Sequence, residues 1–129
     1  MKKILFTLSL LLIGVIAFAQ NTKNNTADSI VGKYLIEKEQ SKVEFAKSAD
    51  GTYEGYVYWN KDDGDVHIVL ISGLKYNAEK KRWDGAKIWD PTRNIRANAT
   101  ILFNKDGMLS VSGKVMGIGE TQLWKPISE

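Results

Sequence analysis

One histidine and a short acidic loop are the first place to look for chemistry in this chain. His67 is the single histidine of 129 residues, and it follows the loop Asp62-Asp63-Gly64-Asp65. Imidazole and carboxylate groups are common metal ligands, and histidine also serves as a general base. The spacing does not supply the sixth-position glycine and twelfth-position glutamate of an EF-hand calcium loop. A solvated hairpin loop followed by a strand explains these residues better.

Other catalytic arrangements have little support. The chain has no cysteine, which removes thiolate nucleophiles, disulfides and thiolate metal sites. No Gly-x-Ser-x-Gly motif is present to go with the lone histidine. A carboxylate pair for glycoside hydrolysis would come from Glu44, Glu54, Asp84 and Asp90, but any small domain offers such a set. We therefore expect that the protein is not an enzyme and uses no cofactor and no metal.

Aromatic residues form the more informative set. Trp83 and Trp89 are six residues apart in a β-rich segment, which predicts that they face the same side, with Gly85 and Lys87 between them. Two rings and a cation on one side would clamp an apolar or anionic ligand at the mouth of a barrel. The alternative is that both rings pack ordinarily while Lys87 extends to water. The candidate ligand-binding residues are Tyr56, Trp83, Lys87, Trp89 and Trp124; the simplest role of Trp124 is to plug the core.

The elements that must position these side chains are short β-rich segments. Asp50-Gly51 and Asp106-Gly107 predict hairpins, because the glycine accepts a positive φ at low cost. Ser29–Glu39 has room for one short helical turn at most. The eight predicted segments are Val31–Glu37, Lys42–Lys47, Tyr53–Trp59, Val66–Tyr76, Arg82–Trp89, Ile95–Phe103, Met108–Val115 and Thr121–Ile127.

Eight short strands joined by hairpins favour an all-β, antiparallel, up-and-down barrel, because closure buries one face and removes exposed edges. One face of a single predicted strand carries Ile95, Ala97, Ala99, Ile101 and Phe103. Its small alanines leave room inside, and a barrel of about eight strands has space for side chains or one small ligand. An open sandwich is the alternative architecture.

The N-terminus predicts export. Lys2 and Lys3 precede an apolar run of 15 residues, Ile4–Phe18, and Ala17-Phe18-Ala19 has small residues at the cleavage positions. We predict a signal peptide over residues 1–19, a flexible leader over 20–28 and one domain over 29–129. Removing two lysines leaves 16 basic against 15 acidic residues, a net charge of +1. The sequence therefore predicts a periplasmic or secreted protein with no nucleic-acid partner and no membrane span after cleavage; a retained N-terminal anchor is the alternative.

A series of landmarks then resembles one known family. The landmarks are Ala27-Asp28-Ser29-Ile30-Val31-Gly32-Lys33-Tyr34, Gly73-Leu74-Lys75, Trp83-Asp84-Gly85-Ala86-Lys87-Ile88-Trp89-Asp90-Pro91, Asp106-Gly107-Met108-Leu109-Ser110-Val111-Ser112-Gly113 and Thr121-Gln122-Leu123-Trp124. Together they resemble the secreted bacterial family known as domain of unknown function 2147. The resemblance implies a lipocalin-like (calycin) β-barrel and covers Ala27–Ile127. It supplies no activity and no catalytic residues.

Two functions follow as expectations. The first is an exported barrel that binds a small apolar or amphipathic molecule in its interior. The alternative is a cell-envelope module that binds another protein and has no small ligand. The identity of a ligand, the oligomeric state and the choice between periplasm and full secretion are left open by the sequence.

Overall fold

The computed structural model describes residues 26–115 and 118–129. A short 3-10 helix, Ala27–Ile30, precedes the strands. The strands of the described residues are β1 (Gly32–Ile36), β2 (Ser41–Lys47), β3 (Tyr53–Asn60), β4 (Gly64–Asn77), β5 (Arg82–Asp84), β6 (Lys87–Asp90), β7 (Ile95–Phe103), β8 (Leu109–Val115) and β9 (Ile118–Ile127). The predicted signal peptide and residues 20–25 of the predicted leader lie outside the described residues, whereas Ala27 and Asp28 belong to the 3-10 helix.

All strands pair antiparallel in one sheet that closes on itself. Hydrogen-bonded neighbours follow the order β5-β4-β3-β2-β1-β9-β8-β7-β6, and a pairing of Trp83 with Ile101 joins β5 to β7. Since β5 and β6 occupy one position in the wall, the protein is a closed eight-stranded antiparallel barrel. This confirms the predicted fold class and removes the open sandwich.

The two Asp-Gly hairpins form as expected. Gly51 and Gly107 lie between β2 and β3 and between β7 and β8, with φ of 87° and 81°. A residue with a Cβ atom rarely adopts these angles, so the glycines make both tight reversals possible.

The fifth predicted segment, Arg82–Trp89, is two strands rather than one. Gly85 has a φ of 81°, so the chain leaves the extended conformation between β5 and β6. β5 pairs with the end of β4, at Lys75–Asn77, whereas β6 pairs with β7. Within the described pairings, the first part of β4, from Asp65 to Gly73, is joined to β3 alone. Closure of the barrel therefore depends on the three residues of β5.

The barrel has two unlike ends. The closed end carries the 3-10 helix and the turns at 48–52, 78–81 and 104–108, and the open end carries the turns at 37–40, 61–63 and 91–94. Aromatic rings fill the closed half: Trp83 lies 4.9 Å from Tyr76 and 5.8 Å from Phe103, and Phe45 lies 5.8 Å from Tyr34. The hydrophobic core thus occupies the closed half and leaves the open half to the candidate site.

Three side chains hold the 3-10 helix against the closed end. The indole of Trp83 donates to the carbonyl of Ala27 at 2.9 Å, and the hydroxyl of Tyr34 donates to the carbonyl of Ile30 at 2.8 Å. The hydroxyl of Tyr53 donates to the carboxylate of Asp28. Ile30 is completely buried beneath these contacts. The N-terminal segment of the domain thus acts as the plug of the barrel.

Candidate functional site

A cavity of about 960 Å³ opens at the end of the barrel opposite the 3-10 helix. Inward-facing residues of six strands supply its apolar wall. They are Ile36 of β1, Val57 of β3, Ile68 and Leu70 of β4, Ile88 of β6, Ile95 and Ala97 of β7, and Val111 of β8. These residues share the face that strand alternation turns toward the barrel axis.

Small residues on neighbouring strands create part of this space. Gly113 and Ala97 both line the cavity, and Ile88 pairs with Ala97 across the β6–β7 ladder. A Cβ atom added to Gly113 would lie 3.0 Å from the Cβ of Ala97, which is closer than ordinary van der Waals contact. The wall therefore has room here only because one residue is glycine and its neighbour is alanine.

Trp124 separates the cavity from the packed core. Its side chain is 3% exposed, lines the cavity and lies 6.1 Å from the ring of Phe45 on the core side. The indole N–H donates to the amide oxygen of Gln122 at 3.1 Å, and Gln122 also lines the cavity. The cavity thus has an aromatic floor whose polar group is already satisfied.

Carboxylates surround the mouth. Arg93, in the turn after β6, donates to Asp90 at 2.8 Å and to Glu120 of β9 at 2.9 Å. These hydrogen bonds raise the pKa of Arg93, and the bond from Arg93 lowers the pKa of Asp90. Glu39 and Asp62, from the turns after β1 and β3, complete the charged part of the lining.

Glu39 behaves differently from the other acids at the mouth. Desolvation raises its pKa, the negative charges of Asp90 and Glu120 raise it further, and the positive charge of Lys38 opposes the shift. Glu39 lines the same mouth as Asp90 of β6 and Glu120 of β9. β9 is the neighbour of β1 in the wall, whereas β6 lies on the other side of the barrel.

The predicted ligand-binding residues separate into three groups. Trp124 and Trp89 border the cavity. Trp83 is 1% exposed and belongs to the core at the closed end, away from the cavity lining. Lys87 and Tyr56 lie on the outer face: Lys87 is exposed opposite Asn98, and Tyr56 donates to Glu44 at 2.6 Å.

The expectation that Trp83 and Trp89 face the same side is wrong. Trp89 pairs with Arg96 on the outer face, where the guanidinium carbon lies 6.0 Å from the centroid of the ring. Its indole N–H donates to the side chain of Asn94 at 3.1 Å. The interruption at Gly85 shifts the alternation, so the side chain of Ile88, not that of Trp89, points inward with Ala97. The proposed clamp of two tryptophans and Lys87 therefore does not form.

The residues that line most of the cavity were missed by the sequence reasoning. The alternation of apolar and polar residues along β4 and β7 indicates which residues form the wall, and it predicts that Ala97 faces inward. Glu39, Arg93 and Glu120 come together only through tertiary structure, and no local pattern connects them.

His67 and three of the four candidate catalytic carboxylates have structural partners. The imidazole of His67 lies 4.4 Å from the ring of Tyr56 on the outer face. Glu44 accepts a hydrogen bond from Tyr56, Asp84 pairs with Arg82 at 3.0 Å, and Asp90 pairs with Arg93. Within residues 26–115 and 118–129, no three His, Cys, Asp or Glu residues are grouped in a way that could hold a metal ion.

No helix in the described part of the chain has the length and apolar character needed to cross a bilayer.

Comparison with known proteins yields one family and one structural neighbour. The family model described as "Uncharacterized protein conserved in bacteria (DUF2147)" matches residues 32–126. The structure is similar to HP1028 of the human pathogen Helicobacter pylori, described as belonging to the lipocalin family, with a TM-score of 0.61 and 19% identity. The match covers 78% of this chain and 84% of that one. No curated protein matches the sequence. At this identity the structural match supports the fold alone.

Proposed function

Since this chain belongs to the DUF2147 family of bacterial proteins, whose description carries no activity, we propose from its geometry that it binds one small apolar or amphipathic molecule inside the barrel. The main support for this proposal is the cavity of about 960 Å³ with its apolar wall. Pockets for small molecules measure about 300–1,000 Å³ and are mostly apolar, with a few polar groups. Eight-stranded barrels of the lipocalin type are wide enough to hold one small ligand.

The arrangement of the lining supports an amphipathic ligand. The apolar wall lies between the floor at Trp124 and the charged mouth at Asp90, Arg93 and Glu120. A hydrocarbon portion would displace water from the wall, while a polar end would remain in contact with solvent. Trp124 is the predicted ligand-binding residue that this proposal retains inside the cavity.

A cavity-filling variant tests the proposal. N-phenyl-1-naphthylamine is an uncharged probe whose fluorescence rises in apolar surroundings, and we expect the protein to bind it. Ala97→Phe would place a ring inside the cavity and lower the affinity by about tenfold or more, because the probe would lose apolar contact area. Asn98→Phe adds the same ring to the exposed outer face of β7 and is the matched control.

The two variants distinguish interior binding from surface adsorption. Equal affinity in both, with folding verified by urea denaturation, would place the probe outside the barrel. If the unmodified protein bound neither this probe nor a molecule copurified from its own envelope, as judged by native mass spectrometry, the small-ligand function would be overturned. The protein-interaction module without a small ligand would then account for the barrel.

We propose further that the protein is exported through a cleaved signal peptide, on the evidence of the charged start, the apolar run and the Ala17-Phe18-Ala19 site. The intact mass of protein from its own envelope tests this. We expect a mature chain that begins at Gln20, and a mass that retains residues 1–19 would contradict cleavage.

A further inference from the structure

We propose that the ligand of the barrel is an amphipathic cation, whose positive head group lies at the mouth beside Glu39, Asp62 and Glu120 while its apolar part occupies the cavity. This inference rests on the proposed function and specifies the chemistry of its ligand. The cavity is the binding site, and the charges at its mouth determine which head group it accepts.

The lining has a large excess of negative charge. Four carboxylates border the cavity, and Arg93 is the single basic residue among the described residues that line it. The formal charge of the lining is therefore −3. All four carboxylates belong to the open end, in or next to its turns and the start of β9, so the apolar wall below them carries no charge of its own.

The charge of the one guanidinium in the lining is already compensated by two carboxylates. Arg93 uses Nε for Asp90 at 2.8 Å and Nη2 for Glu120 at 2.9 Å. An anionic head group bound at the remaining N–H groups of Arg93 would lie beside both carboxylates, where like charges repel. A cationic head group meets no such repulsion from these carboxylates.

Glu39 is the acid best placed to gain from a cation. It makes no ion pair among the described residues, and Asp90 and Glu120 are the negative groups near it. Desolvation and these two charges raise the pKa of Glu39, and the neighbouring Lys38 lowers it. The carboxylate is thus held in surroundings that disfavour its ionised form, and a cation bound at the mouth would relieve that repulsion.

The basic residues nearby do not reverse the sign of the mouth. Apart from Arg93, four exposed basic residues belong to the open end, and none of them lines the cavity. They are Lys38 and Lys61 in its turns, Arg96 near the start of β7 and Lys114 near the end of β8. Asp63 and Asp65 are exposed beside Lys61 and add further negative charge at the same end. Carboxylates are therefore the main charged groups that a head group bound at the mouth would meet.

Probes with one chain and different head groups test this inference. Dodecyltrimethylammonium, dodecanoate and an uncharged dodecyl tetraethylene glycol ether would be measured by calorimetry below their micelle concentrations, with the full chain at neutral pH and low salt. We expect the cation to bind about tenfold or more tightly than the anion, with the neutral ether between them. Added salt would reduce this preference, because ions screen exposed charges.

Charge variants then assign the preference to the mouth. Glu39→Gln would weaken cation binding about two- to fivefold, as expected for one exposed carboxylate, and would leave binding of the neutral ether unchanged. Glu79→Gln makes the same change in the turn after β4, at the closed end, and should affect neither probe. An equal loss of cation affinity in Glu79→Gln would assign the preference to the overall charge of the protein and overturn the inference.

The outcomes separate the two proposals. If the neutral ether binds but the cation has no advantage over the anion, the cationic ligand is overturned while the small-ligand function stands. If none of the three probes binds, the inference fails, and the test with N-phenyl-1-naphthylamine and copurified molecules decides whether the small-ligand function stands.

Discussion

The indole of Trp83 shows how one side chain can close an end of the barrel. It contacts Tyr76 and Phe103, is almost fully buried, and donates its only N–H to the carbonyl of Ala27 in the 3-10 helix. A buried donor without a partner costs about 1–3 kcal/mol, so this hydrogen bond and the packing around it depend on each other. Trp83 is consequently a core residue of the closed end, and it does not line the cavity.

Replacement of Trp83 should therefore destabilise the fold. We expect Trp83→Phe to lower the free energy of unfolding by about 1–3 kcal/mol, because it removes the hydrogen bond to Ala27 and leaves a void. Trp89→Phe is the matched control on the outer face and should change it by less than about 0.5 kcal/mol. Urea denaturation measures both. Equal losses would contradict the assignment of the two tryptophans to core and surface.

Asp28 provides a pH-dependent contact at the same end. Its hydrogen bond from Tyr53 lowers the pKa of Asp28, and the nearby Lys47 lowers it further, while burial raises the pKa of Tyr53 to about 12 with help from Asp28. A carboxyl group whose pKa is lower in the folded state stabilises that state when ionised. The stabilisation is present when the pH is above the pKa of Asp28 in the unfolded chain, near 3.8. It is lost as the pH falls through the lower pKa of Asp28 in the folded protein.

Asp28→Asn isolates this effect, because asparagine can still accept the hydrogen bond but carries no charge. We expect the native protein to have the higher melting temperature at pH 7. The difference should shrink as the pH falls below about 4. A difference that stayed constant from pH 7 to pH 2 would show that the charge of Asp28 contributes nothing.

At the scale of the elements, the break between β5 and β6 has the largest consequence. It allows β5 to pair with β4 and β7 while β6 continues along β7, and it reverses which side chains point inward after Gly85. A Cβ atom added at Gly85 would have its nearest neighbour at 3.9 Å, the Cδ atom of Lys75. Backbone conformation, not lack of space, therefore selects glycine here.

Substitutions at Gly85 should follow backbone preference. We expect Gly85→Ala to lower the free energy of unfolding by about 1–2 kcal/mol, because its φ of 81° is strained for alanine. Gly85→Asn should cost less, since asparagine adopts positive φ more readily than alanine does. Thermal or urea unfolding gives the order, and equal losses for the two variants would indicate that the side chain itself disturbs the wall.

At the scale of the whole molecule, the packed core and the cavity occupy opposite halves of the barrel. Large rings and the 3-10 helix fill the closed half, while Ala97 and Gly113 keep the open half empty. Empty apolar space costs stability, because its lining lacks contact partners. The cavity is therefore expected to lower the stability of the protein, and the proposed ligand would restore the missing contacts.

A series of ligands with increasing chain length measures this space. We expect the affinity for uncharged alkyl ethers to rise about fourfold for each added methylene, from about 0.8 kcal/mol per buried CH2. The rise should stop when the chain reaches the floor at Trp124. Calorimetry with the native protein and Ala97→Phe would show the plateau at a shorter chain in the variant, and a plateau at the same length in both would place the chain elsewhere.

The strand positions, the two Asp-Gly hairpins and the barrel class could be predicted from the sequence, because alternation and turn chemistry act between residues that are neighbours along the chain. The inward placement of Ala97 and Ala99 followed from the same pattern. The position of Trp89 outside the barrel, the break at Gly85 and the meeting of Arg93 with Glu120, 27 residues away, were decided by the tertiary structure. These features depend on strand register and on closure of the sheet, which arise from contacts between distant segments and leave no local pattern in the sequence.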